Sequence, residues 1–216
     1  MELGRGFASA VAHVAGETGV RAVLICGSGR ILCPGRDVAA MGAAEDPGRY
    51  LLDLTSAVHP AFLTLAELPV PVVAAVQGAA AGAGLAMTLA SDIVIAADSA
   101  RFLTAYGSIE LRLTAACRGC CRRWSDCARP WSSLSPDAGW PRRRPSSWGL
   151  GTIVVAEDDV RAEGLRMAQN LADGPARAHG VTRRLMRAWP GRSSRTICTP
   201  RADPFPRWHR PPRRPI

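Results

Sequence analysis

Apolar residues fall along the first hundred positions in two kinds of run. Val72–Val76 and Ile93–Ala97 are short and continuously apolar, the composition of strands buried on both faces of a parallel sheet. Pro69 and Pro71 precede the first run, where a missing N–H costs least. Between the runs, Gln77-Gly78 leads into a stretch from Gly82 to Ala90 of small or flexible side chains. Such a stretch can turn sharply and start a helix whose backbone lies open to close approach. The free N–H groups of its first turn make a place to stabilise negative charge. Asp92 closes that helix.

Other segments have helical spacing. Phe7, Val11, Val14 and Ala15 predict a helix over Phe7–Glu17, ended by Gly16 and Gly19 ahead of a strand at Val20–Cys26. The loop GSGRILCPGRDVAAM follows, and its Asp37 is placed to cap the next helix. Leu51, Leu54, Val58, Phe62, Leu65 and Leu68 share one face of a helix over Tyr50–Leu68, which Pro60 is expected to kink or split. Helices alternating with strands in this way predict an α/β fold with right-handed crossovers.

A chain of 216 residues with 47% hydrophobic residues can bury one sizeable core. The net charge of +9 changes meaning once it is divided along the chain. Residues 1–110 hold six Arg against ten acidic residues, and residues 149–188 hold six against five. The excess lies in residues 111–148, with eight Arg against two acids, and in residues 189–216, with seven against one. Those two segments also hold all six Trp and five of the seven Cys, and they lack hydrophobic periodicity. The chain has no lysine, as expected of a GC-rich coding sequence, and such DNA read out of frame gives text like CRGCCRRWSDCARPW. We therefore expect 111–147 and 189–216 to be frame-shifted translation, which resequencing the gene would decide.

Several bland readings are available. The Leu68–Ala100 stretch is too rich in Ala and Gly, and too interrupted by Gln77 and Asp92, to span a membrane. Gly82-Ala83-Gly84 and Gly27-Ser28-Gly29 lack the third glycine of a dinucleotide loop, where Met87 and Leu32 stand. Cys117, Cys120, Cys121 and Cys127 have no second well-spaced pair for zinc, so no metal site is expected. His13 and His59 read as structural, and Asp92 and Asp98 as caps that solvate the turns around the Ile93 strand. With no apolar leader in view, the expected compartment is the cytoplasm, where the cysteines stay reduced.

Three stretches together, VRAVLICGSGRILCPGRDV, LAELPVPVVAAVQGAAAGAGLAMTLASDIVIAADSARF and WGLGTIVVAEDDVRAEGLRMAQNLADGPARAHGVTRRLM, resemble the enoyl-CoA hydratase/isomerase (crotonase) family. The resemblance implies a ββα spiral core, here incomplete: residues 1–110 as a partial core, 111–147 anomalous, 148–188 as a C-terminal strand and helices, and 189–216 as a basic tail. It also implies that the family's opening hairpin would precede Leu3, that acyl-CoA is the ligand, that coenzyme A enters only as part of the substrate, and that the chain assembles as a homotrimer or hexamer.

For the site, the resemblance assigns the two backbone donors of an oxyanion hole to the N–H groups of Arg36 and Ala83. Cys33, Pro34, Gly35, Asp37, Gly82, Gly84, Ala86 and Tyr106 would line the substrate, with Gly84 keeping room for the thioester. The two glutamates of the family's hydratases fall on Ala86 and Tyr106, which cannot act as carboxylate bases, so isomerase chemistry is favoured. The proton-carrying aspartate of the isomerase branch falls at about Thr114, with Glu110 nearby. Two other outcomes remain open. One is a catalytically inactive relative, and the other is nucleic-acid binding by the arginines of the tail interleaved with Phe205 and Trp208.

Overall fold

A computed structural model describes residues 2–103 and 153–187. In chain order it contains α1 (Glu2–Gly16), β1 (Val23–Cys26), α2 (Val38–Ala43), α3 (Pro47–Glu67), β2 (Val72–Val76), β3 (Ala79–Ala81), α4 (Ala83–Ala90), β4 (Ile93–Ala97), β5 (Arg101–Leu103), β6 (Ile153–Val155), a 3-10 turn at Glu157–Asp159, α5 (Val160–Asp173) and α6 (Ala176–Arg187). The anomalous 111–147 stretch, with its cysteine cluster, and the 189–216 tail lie outside the described residues, as do Tyr106, Glu110 and Thr114.

Two parallel sheets organise the chain. The larger has the order β1-β2-β4-β6 and the smaller pairs β3 with β5. Each coil gives one strand to the large sheet and the next to the small one: β2 then β3, followed by α4, then β4 and β5. The first coil follows the same rule, because Cys33, after β1, forms a parallel bridge to Ala80 of β3. This repetition is the ββα spiral.

The register follows from burial. All five residues of β2 have no exposed surface, and their side chains alternate between layers. Val72, Ala74 and Val76 pack with residues of α3, α4 and the small sheet, while Val73 and Ala75 pack under α5. This is the two-residue period of a strand covered on both sides, and each such valine contributes about 1.5–3 kcal/mol of apolar burial. α5 comes close because Gly164 has no side chain: a Cβ there would sit 2.9 Å from that of Ala75.

The helix starts are set by short polar residues. Asp37 caps α2 by accepting from the Ala40 N–H at 2.8 Å, as expected. Asp46 caps α3 through the Arg49 N–H at 2.9 Å, with Pro47 in the first turn, so α3 begins three residues before Tyr50, where the apolar spacing starts it. Pro60 neither splits nor ends it. That ring lies on the exposed side, where water can serve the carbonyl that loses its partner. Phe62, three positions from His59, packs against Phe7 of α1 with ring centroids 5.3 Å apart.

α6 is fastened by a buried cation. Arg183 donates from Nε to Asp92 Oδ2 at 2.6 Å, from Nη2 to Leu65 O at 2.8 Å, and from Nη1 to Ala66 O at 3.0 Å and to Leu68 O. Asp92 also accepts from the Val72 N–H at 2.9 Å. A positive charge at the open carbonyls of a helix C-terminus is favourable, and here it ties α3, the start of β2 and the start of β4 to α6. This corrects the expectation that Asp92 solvates a turn; its carboxylate is engaged inside the fold. Asp98 is exposed at the turn after β4, as read.

Candidate functional site

The C-terminal ends of β1 and β2 each lead into a loop, and the two loops meet. Leu32 N–H donates to Gln77 O at 3.0 Å, Cys33 N–H to Ala79 O at 3.2 Å, and Ala81 N–H to Cys33 O at 2.9 Å. Cys33, which opens the CPGRD segment, is thereby paired with β3. Gly35 has φ +99°, the left-handed region that glycine adopts without strain, and a Cβ there would fall 3.1 Å from Ala81 O. Arg36 follows at once and is half-buried.

α4 carries Ala83, the other expected donor. Gly82 caps it with φ +52° and donates to Leu103 O at 3.0 Å. From Gly84 to Ala90 the helix is buried, and Ala83 alone keeps some exposure. As first residue of the helix, Ala83 has no intrahelical acceptor for its N–H, so the donor end of α4 is also its open end.

Gly84 serves the chain itself. A Cβ there would lie 2.3 Å from Cys33 O and 2.8 Å from Cys33 Cβ, so the room that glycine leaves is filled by the neighbouring loop. The room expected for a thioester at Gly84 instead seats Cys33 of the preceding loop on α4.

The remaining expected residues are placed as follows. Cys33 is buried, Pro34 exposed, and Asp37 exposed with its carboxylate engaged as the α2 cap. Ala86 is 1% exposed and belongs to the apolar core with Leu65, Leu68 and Met87. It offers no carboxylate at the first glutamate position. His59 is half-buried on α3, and burial holds its imidazole below the ordinary pKa; His13 is exposed beside Glu17 at 3.9 Å. Among the described residues no group of three or more His, Cys, Asp or Glu could hold a metal ion, and no helix is long and apolar enough to cross a membrane.

Two polar residues that matter here were not singled out from sequence. Arg183 is one. The other is Gln77, whose amide Nε2 donates to Gly27 O and to Gly29 O, both at 3.0 Å. A lone glutamine ending a strand of valines and alanines was the available signal, since a polar side chain there needs acceptors.

Parallel ββα coils, with the Cys33 loop seated against β3 and the start of α4, define a protein of the crotonase class. The enoyl-CoA hydratase/isomerase family model matches residues 2–115. The 1,2-epoxyphenylacetyl-CoA isomerase of Escherichia coli is 30% identical over 198 residues, covering 83% of this chain and 70% of that protein. A Rhodobacter capsulatus protein named probable enoyl-CoA hydratase is 36% identical over 151 residues, 68% of this chain and 49% of that one. A Mycobacterium abscessus crystal structure assigned to enoyl-CoA hydratase/isomerase superposes with a TM-score of 0.79 at 30% identity, covering 86% of this chain and 72% of that chain. The chain belongs to the enoyl-CoA hydratase/isomerase family. Its match spans about half the length of the Rhodobacter relative.

Proposed function

We propose that this protein binds an acyl-CoA thioester and stabilises the enolate of its acyl group between the N–H groups of Arg36 and Ala83. The supporting observation is the seating of Cys33 and Gly35 against Ala81–Gly84 at the start of α4, which favours a site shared by the residues that follow each of them. Removing a proton from the carbon next to the thioester carbonyl leaves the electron pair delocalised onto the carbonyl oxygen. Two fixed N–H donors stabilise that developing charge without reorganising. Reprotonation further along the acyl chain would complete an isomerisation. Hydration is disfavoured because Ala86 is an apolar core residue, and the proton carrier of an isomerase would stand near Thr114.

Coenzyme A is substrate in this reading, with no other cofactor. The acyl group belongs to fatty-acid or aromatic acyl-CoA degradation. Leu165 of α5 and Val181 and Leu185 of α6 are exposed apolar side chains, which supports assembly of copies through the C-terminal helices, as a trimer or a dimer of trimers.

The test uses acetoacetyl-CoA, which forms an enolate readily. Ala83→Pro removes one N–H at a position where proline suits the first helical turn, and the expected loss is on the order of 3 kcal/mol of enolate binding. Arg36→Ala keeps its N–H and should weaken binding only slightly. Equal losses in the two variants, or unchanged binding in a folded Ala83→Pro protein, would mean that the hole lies elsewhere. Enolate binding without measurable turnover identifies the inactive relative.

A further inference from the structure

We propose that Gln77 is a positioning residue for the oxyanion site: its side-chain amide holds the loop that carries the Arg36 N–H in register with α4. This rests on the acyl-CoA reading above.

Gln77 directly follows β2, the strand with no exposed residue, which lies between β1 and β4. Its backbone is therefore fixed by the core. Its Nε2 has two hydrogens, and both are used, one on Gly27 O and one on Gly29 O. The loop closes tightly on this amide. A Cβ on Gly27 would fall 2.8 Å from Gln77 Nε2 and 2.6 Å from Ile31 O. The backbone of the same residue takes up the next part of the loop, with Gln77 O accepting from Leu32 N–H at 3.0 Å. One residue on the central strand thus grips the loop at Gly27, Gly29 and Leu32, directly before Cys33 begins the bridge to β3.

The grip matters because the rest of the loop is held weakly. Residues 28–31 are exposed, and β1, from which the loop departs, is only half-buried. An N–H donor contributes to charge stabilisation only when aimed at the site of the oxyanion, and a displacement of about 1 Å can cost a factor of about 10². Gln77 touches no substrate in this account; it acts through Arg36.

Titrating with acetoacetyl-CoA and with a thioether analogue, in which a methylene replaces the thioester carbonyl, separates aiming from folding. The ratio of the two affinities reports the hole, and the thioether affinity alone reports the rest of the site. In Gln77→Met, which keeps the length but loses both donors, the ratio should fall by at least about tenfold while thioether affinity stays within about twofold. Gln77→Asn, with donors on a shorter arm, should fall between, and it supplies the measurement if Gln77→Met does not fold. A ratio unchanged in either folded variant overturns the proposal, as does a parallel loss of both affinities. A wild-type ratio near one sinks the oxyanion reading itself, and the proposal with it. A large wild-type ratio that Gln77→Met leaves intact sinks only the role of Gln77.

Discussion

The two halves of the site are held by different forces. The Ala83 half hangs from β2 and runs through β3 into α4, with nearly every side chain in the core. The Arg36 half hangs from β1, which among the described residues has only β2 beside it in the large sheet, and passes through a largely exposed loop. Apolar packing fixes the first of the two proposed donors. Hydrogen bonds and a close backbone contact fix the second: the Gln77 amide, the Cys33 bridge and the bare Cα of Gly84. The lesson is that the halves should fail differently, the first through loss of stability and the second through loss of alignment in a protein that still folds.

The largest effect should come from the anchor behind the Ala83 half. Arg183→Met leaves the Asp92 carboxylate and the final carbonyls of α3 without their cation. Breaking a buried pair of this kind costs about 3–5 kcal/mol, the lower end being expected because Asp92 keeps 17% side-chain exposure. Urea denaturation reads this directly, and an unchanged midpoint would show that α6 is not fastened here.

The contact between the halves comes next. Gly84→Ala places a methyl against Cys33 O, and overpacking of this sort costs about 1–3 kcal/mol. Part of that strain should be relieved by moving the Cys33 loop, so enolate binding is expected to fall more than stability does. A loss confined to stability would contradict the division drawn above. The smallest effect belongs to the Arg36 half. Asp37→Ala removes the α2 cap, worth about 1 kcal/mol, and thermal unfolding should show it.

The sequence made the buried strands fully legible. Val72–Val76 and Ile93–Ala97 begin and end where the apolar runs do, because a strand covered on both faces must be apolar throughout. β3 and β5 were not legible. Ala79–Ala81 has no strand preference of its own; it is a strand because Cys33 on one side and β5 on the other pair with it. β1 starts at Val23, where its pairing to Val72 begins, and not at Val20. Arg21, just before it, instead reaches the carbonyls at the end of α5, with Nη2 2.7 Å from Gly174 O.

The site divides in the same way. The resemblance named Arg36 and Ala83 from the order of CPGRD and GAGLA, and the structure brings those segments together. It could not reveal what holds them. The partners of Gln77 lie 48 and 50 positions earlier, and Arg183 meets Asp92 across 91 positions. No local periodicity encodes such pairs. Gly84 was read as space for a ligand because a sequence shows that a side chain is absent without showing what takes its place.

The central claim is that both halves deliver a backbone donor to one oxygen. The most direct measurement is a crystal structure of the protein with acetoacetyl-CoA bound. The thioester oxygen should lie roughly 2.7–3.1 Å from the nitrogens of both Arg36 and Ala83. An oxygen that meets only one of them, or coenzyme A bound with its acyl group away from the Cys33–Gly84 contact, would contradict the account.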